Sequence, residues 1–187
     1  MKKLSTWINK ISSPFVTLVC FVIFLIFTAL VLPSQADDAQ DYSGEIGSPD
    51  TSFYYSAEEL YQFAEAYGPP GRSAYIRARL TFDVIWPLVY LAFLTTAISW
   101  AYQKTNREGV IWQHLNIIPL FGLIFDYFEN AAAAVVMAHF PDTTPILPQL
   151  AGVFTALKWI FIVGSFAVLV LGLILAGWEW AQSKIRK

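Results

Sequence analysis

Four apolar stretches divide the 187-residue chain, and their lengths set the first expectation. The first covers 14–32 and contains nothing more polar than Thr17, Cys20 and Thr28. At a helical rise of 1.5 Å per residue it reaches about 28 Å, the thickness of a hydrocarbon core. The others cover 82–102, 116–138 and 150–178, and the last is long enough to tilt or to project beyond the bilayer. All four read as helices, because a bilayer interior offers no water to an open strand edge. The pattern predicts an all-α fold, a four-transmembrane-helix bundle forming one membrane domain over 1–187. The segment 33–81 is the one sizeable connection outside the spans.

Composition agrees. Hydrophobic residues make up 56% of the chain and charged residues 14%, against about a quarter charged in a soluble domain. A net charge of −2 lacks the basic footprint of a nucleic-acid binder. Seven Trp, nine Tyr and fifteen Phe exclude a disordered chain. The single cysteine, Cys20, excludes an intrachain disulfide and reads as a small apolar residue within its span.

Charge also orients the spans. With the N-terminus inside, Lys2, Lys3, Lys10, Lys104, Arg107, Lys184, Arg186 and Lys187 are all cytoplasmic. Arg72, Arg77 and Arg79 then lie outside with Asp37, Asp38, Asp41, Glu45 and Asp50. This obeys the positive-inside rule and places both termini in the cytoplasm of a cell-membrane protein. The first span has two readings. Its length favours an uncleaved signal-anchor, whereas Ser34 and Ala36 after a basic, apolar start also fit a signal peptide cleaved after Ala36.

Within the 33–81 loop, 33–50 is polar, rich in turn formers and expected to be irregular. A helix should follow. Ser56 and Glu59 form a capping box, and Leu60, Phe63, Ala64 and Tyr67 recur on one face. Gly68 stops that helix, and Pro69-Pro70-Gly71 reads as a turn. The short helix is amphipathic, suited to the membrane surface or to the top of the bundle. Arg72, Tyr75, Arg79 and Asp83 then share a face of a continuous helix entering the second span, where Pro87 should produce a kink.

Ionisable groups inside spans are costly and face protein or a wet cavity. Asp126, Glu129 and Asn130 fall at i, i+3 and i+4 of the third span, and Lys158 lies in the fourth. The short, proline-rich connection 140–148 makes those two helices antiparallel neighbours. Counting residues from it puts Glu129 and Lys158 at nearly one depth, so they should pair. Arg79 and Asp83, four residues apart, should pair near the outer surface as a largely exposed pair.

No nucleophile elbow, phosphate-cradling glycine loop or H-E-x-x-H segment occurs. His114 and His139 stand at opposite ends of the third span, too far apart on one helix to share a metal. No metal and no cofactor is expected.

Gly71-Arg72-Ser73-Ala74-Tyr75, followed by Asp83, Pro87 and Tyr90, resembles a pattern in a family of uncharacterised bacterial four-helix membrane proteins. There a Gly-Arg-x-x-Tyr turn precedes the second span and an Asp-x-x-Glu-Asn segment occupies the third, matched here by Asp126-Tyr127-Phe128-Glu129-Asn130. The resemblance covers about 54–160. It implies the architecture and groups Arg72, Asp83, Asp126, Glu129 and Asn130 in one site, without supplying an activity.

Two functional classes follow. The favoured one is non-enzymatic: a scaffold, accessory or assembly subunit whose partners are the lipid bilayer and a membrane protein or further copies of itself. The small residues 131–134 and the pair Gly172 and Ala176 would serve lateral packing. The alternative is a membrane-embedded site for an anionic lipid or other amphiphile. Its ligand-binding candidates are Arg72, Tyr75, Arg79, Asp83, Asp126, Glu129, Asn130 and Lys158. The two are separable: convergence of Asp83, Asp126 and Glu129 on an open cavity favours the site, and mutual pairing in a dry core favours the scaffold.

Overall fold

The computed structural model describes residues 2–49, 52–105, 112 and 114–185. Asp50, Arg107, Arg186 and Lys187, which entered the charge argument, lie outside the described residues. Among the described residues the fold is all-α, with no strand. Helix α1 is Lys2–Ile11, α2 Pro14–Ile26, α3 Leu32–Ser43, α4 Ala57–Leu80, α5 Phe82–Gln103, α6 Ile118–His139 and α7 Leu147–Ile185. Among the described residues, four helical stretches are long and apolar enough to cross a membrane: Pro14–Tyr42, Ala57–Gln103, Leu115–His139 and Leu147–Ile185. The chain is a multi-pass membrane protein of the expected four-helix class.

Local sequence explains where these elements start and stop. Ser13 caps α2, its hydroxyl accepting from the Val16 amide at 3.2 Å, and Pro14 occupies the first helical position, where a missing N–H costs nothing. Beyond α2 the backbone widens into a π turn over Phe27–Val31 before α3 continues as helix. The expected irregular start of the loop is therefore corrected: residues through Ser43 are helical. Pro33 cannot donate to a carbonyl four residues back, and its ring crowds that carbonyl. The wider turn just before it relieves both problems.

The capping box at Ser56 and Glu59 is complete, with the Ser56 amide donating to Glu59 at 2.7 Å and the Glu59 amide donating to Ser56 at 3.2 Å. Gly68 interrupts α4 with φ 60° and ψ 176°, a conformation that suits glycine. The expected turn at Pro69-Pro70-Gly71 is instead the first turn of the helix that resumes there, because proline is preorganised for that position. A break also falls at Thr81 (φ −122°, ψ −80°), so the helix from Arg72 to Tyr90 is not continuous. The Thr81 hydroxyl donates to the Arg77 carbonyl at 2.8 Å, and both Thr81 and Val84 donate three residues back. That tightened turn is where the backbone departs from helical angles; Pro87 lies within α5.

The chain forms two compact units. Unit 1 comprises Met1–Leu25, Val89–Gly122 and Ile160–Lys187. Asn116 pins α1 there, accepting from the Ser5 hydroxyl at 2.8 Å and donating to the Ser5 carbonyl and the Ser99 hydroxyl. Phe93 stacks on Phe24 at 4.8 Å and lies 5.2 Å from Phe21, centroid to centroid. Gly172 allows Tyr102 to pass so closely that a methyl group would meet its ring, and the Tyr102 hydroxyl donates to the Val168 carbonyl at 3.2 Å. Gly172 of the expected small-residue pair thus packs within the chain.

Unit 2 comprises Ile26–Leu88 and Leu123–Trp159. Its core gathers Leu60, Phe63, Ala64 and Tyr67 of α4 with Ala132, Ala133, Val136 and Met137 of α6 and Ala151 of α7. The apolar face of the 57–67 helix is therefore covered by protein, not by membrane. Ala132 and Ala133, expected to offer a packing face to a partner, are buried in this core.

Candidate functional site

Helical spacing places Asp126, Glu129 and Asn130 on one face of α6, and all three side chains are buried in unit 2. Lys158 of α7 meets Glu129 there, Nζ to Oε2 at 2.5 Å. The Tyr55 hydroxyl donates to the other Glu129 oxygen at 3.4 Å. Beside this pair, Arg79 from the end of α4 bonds Asp83 in the first turn of α5 at 3.1 Å. The same guanidinium nitrogen donates to the Asn130 amide oxygen at 3.1 Å, and Asn130 Nδ2 donates to Asp126 at 3.0 Å. The Arg79 guanidinium also lies over the Tyr75 ring, 4.2 Å from its centroid.

Six of the eight candidate residues thus make direct polar contacts in two sets, Arg79, Asp83, Asn130 and Asp126 in one and Glu129 with Lys158 in the other, and Tyr75 meets the first set through its ring. The expected pairs Glu129–Lys158 and Arg79–Asp83 are both formed. The expected exposure of the second is wrong: Arg79 is 8% exposed and Asp83 9%. Folding α4 over α6 brings Asn130 onto the guanidinium, Tyr75 covers it from one turn earlier in α4, and those contacts exclude the water that an interfacial position would have supplied. Arg72 is the eighth candidate, and its guanidinium is engaged elsewhere. Its Nη1 donates to the Ala64 carbonyl at 2.8 Å, in the last turn before Gly68, and its guanidinium rests on Phe140 at 4.8 Å. It satisfies a helix-end acceptor that the Gly68 break would otherwise expose.

Spacing rules missed Tyr55. It lies just before the cap residue Ser56 and is buried with Leu60, four residues beyond that cap, in the arrangement of a hydrophobic staple. That staple was the available signal that Tyr55 turns inward. Two further contacts hold it. Trp159 Nε1 donates to the Ser52 carbonyl at 3.1 Å, and the bare Cα of Gly152 lets the Tyr55 carbonyl sit against α7. The Tyr55 ring also meets Phe63 edge-on at 6.4 Å.

No family model, curated protein or solved structure matches the chain.

Chemically, the arrangement is a network of two buried sets carried on one face of α6, Arg79–Asp83 with Asn130 and Asp126, and Glu129–Lys158 with Tyr55. Each contact joins residues from different elements or successive helical turns, so the network fixes the rotation of α6 relative to α4, α5 and α7 within this unit. Unit 2 also carries an apolar groove of about 300 Å³ lined by Phe128, Ala131, Ala132, Val135, Leu147 and Phe154. Aromatic walls and alanines on its floor leave it without polar groups to orient a reacting molecule.

Proposed function

We propose that this protein is a non-enzymatic membrane subunit, a scaffold, accessory or assembly factor that works by lateral association in the bilayer. The observation that carries this reading is the buried pairing of Glu129 with Lys158 and of Arg79 with Asp83 and Asn130, the last also bonded to Asp126. Groups engaged with each other in a low-dielectric core set helix register. The groove between Phe128 and Phe154 supports the reading as well, since the exposed Ala131 would let another helix approach closely. Purification in a native detergent followed by mass measurement tests it: a homo-oligomer or a stoichiometric partner is expected, and a strictly monomeric particle without partners contradicts it.

The same groove is apolar enough for an acyl chain, which keeps an amphiphile-binding alternative in view. Lipid analysis of the purified protein separates the two. A defined lipid retained by the native chain and lost on Phe154→Ala favours the alternative, and a lipid profile equal to that of the surrounding membrane rejects it.

In this reading the protein sits in the cell membrane with an intact first helix, both termini cytoplasmic and 33–81 external, from the placement of its basic residues. A reporter active only in the cytoplasm should work at either end. A mature N-terminus at Asp37 would show a cleaved signal peptide instead.

A further inference from the structure

Helix α1 carries a second surface, independent of the cluster in unit 2. Its sequence, KKLSTWINKI, contains three lysines and no acid. The helix has three faces. Ser5 and Ile8 are buried against the protein, and the bonds from Asn116 and from Gln103 Nε2 to the Asn9 carbonyl at 2.6 Å hold that side in place. Leu4, Trp7 and Ile11 recur at i, i+3 and i+7 on a second face, all three exposed and Trp7 most of all at 57%. Lys3 and Lys10, seven residues apart, flank that apolar strip, with Lys2 further round, and all three are exposed.

The position of the helix supplies the occupant. α1 ends only two residues before Pro14, where the first membrane-crossing stretch begins. The protein groups that hold it, Gln103 and Asn116, stand where α5 ends and just before α6 begins. An exposed Leu-Trp-Ile strip edged by lysines at the end of membrane spans matches a bilayer surface: apolar residues at the acyl boundary, ammonium groups among headgroups. The absence of acids on the helix selects the sign of those headgroups. Lys184, whose ammonium lies 5.1 Å from the Trp180 ring centroid in the same unit, repeats the pairing of cation and exposed tryptophan.

We infer that α1 is an interfacial helix, clamped to the bundle through Ser5 and Asn9, whose Lys3–Lys10 edge binds the headgroups of anionic phospholipids. The full-length protein, mixed in detergent with equal amounts of phosphatidylglycerol and phosphatidylcholine, should retain phosphatidylglycerol preferentially in native mass spectrometry. Lys3→Gln with Lys10→Gln should reduce that preference by about five-fold for each lysine removed, and Lys3→Arg with Lys10→Arg should keep it. A second measurement needs neither variant. A nitroxide at position 7, attached through Trp7→Cys in a Cys20→Ser background, should be more accessible to oxygen than to a water-soluble nickel chelate in phosphatidylglycerol-containing vesicles. Equal retention of the two lipids by the native chain, an unchanged preference in the glutamine variant, or a label facing water would each overturn the inference.

Discussion

Replacing Lys158 by leucine tests the ion pair at the centre of unit 2. The Glu129 side chain is 1% exposed and that of Lys158 7%, so neither charge is solvated once its partner is gone. Removing one member of a buried pair costs about 3–5 kcal/mol, most of it the penalty for stranding the other charge. Glu129→Leu should cost a similar amount by stranding Lys158. The double change removes both charges and fills the space with apolar groups of comparable size, an exchange that is often near neutral. Tyr55 loses an acceptor in the process, worth about 1 kcal/mol. The double variant should therefore be destabilised by only about 1–2 kcal/mol, less than either single variant. Reversible unfolding in mixed micelles, followed by far-ultraviolet circular dichroism, provides the assay. A double variant as unstable as the sum of the two singles would show that the charges do not depend on each other, and the pairing argument would fail.

Two other substitutions probe the supports of this cluster. Arg79→Ala strands Asp83 in a buried setting and removes the donor to Asn130, so it should cost about 3 kcal/mol or more; the same unfolding assay showing under about 1 kcal/mol would return the pair to the exposed class. Gly152→Ala sets a methyl group against the Tyr55 carbonyl oxygen, a backbone atom that cannot swing aside. It should cost about 2 kcal/mol or more.

The parts of this structure that the sequence made legible are those governed by spacing within one helix. The Ser56–Glu59 box, the stop at Gly68 and the shared face of Asp126, Glu129 and Asn130 all rest on fixed offsets. The Glu129–Lys158 pair was legible for a related reason: a short connection between α6 and α7 lets depth be counted from a common end. Contacts between distant segments were harder, because they depend on how far each helix is rotated about its axis. That rotation brings Asn130 to Arg79 and dries the Arg79–Asp83 pair, and no count of residues contains it. Arg72 looked like an anion-binding residue from its neighbours, yet the Gly68 break gives it a nearby carbonyl to satisfy. The helix at α1 escaped notice because ten residues are too few for a span, although Leu4, Trp7 and Ile11 already carried its period. The polar, turn-rich composition of 33–50 suggested irregular chain, and the widened turn before Pro33 shows how the helix continues through it.

The central claim is that the buried charges hold the fold while association in the membrane does the work. Native-detergent mass measurement of the Glu129→Leu, Lys158→Leu double variant beside the unaltered protein tests that claim most directly. The account predicts that both chains are recovered in the same homo-oligomer or with the same stoichiometric partner. A double variant that is folded, by its unfolding transition, yet has lost that assembly or a lipid the unaltered protein retains would contradict it, and would place Glu129 and Lys158 in a working site.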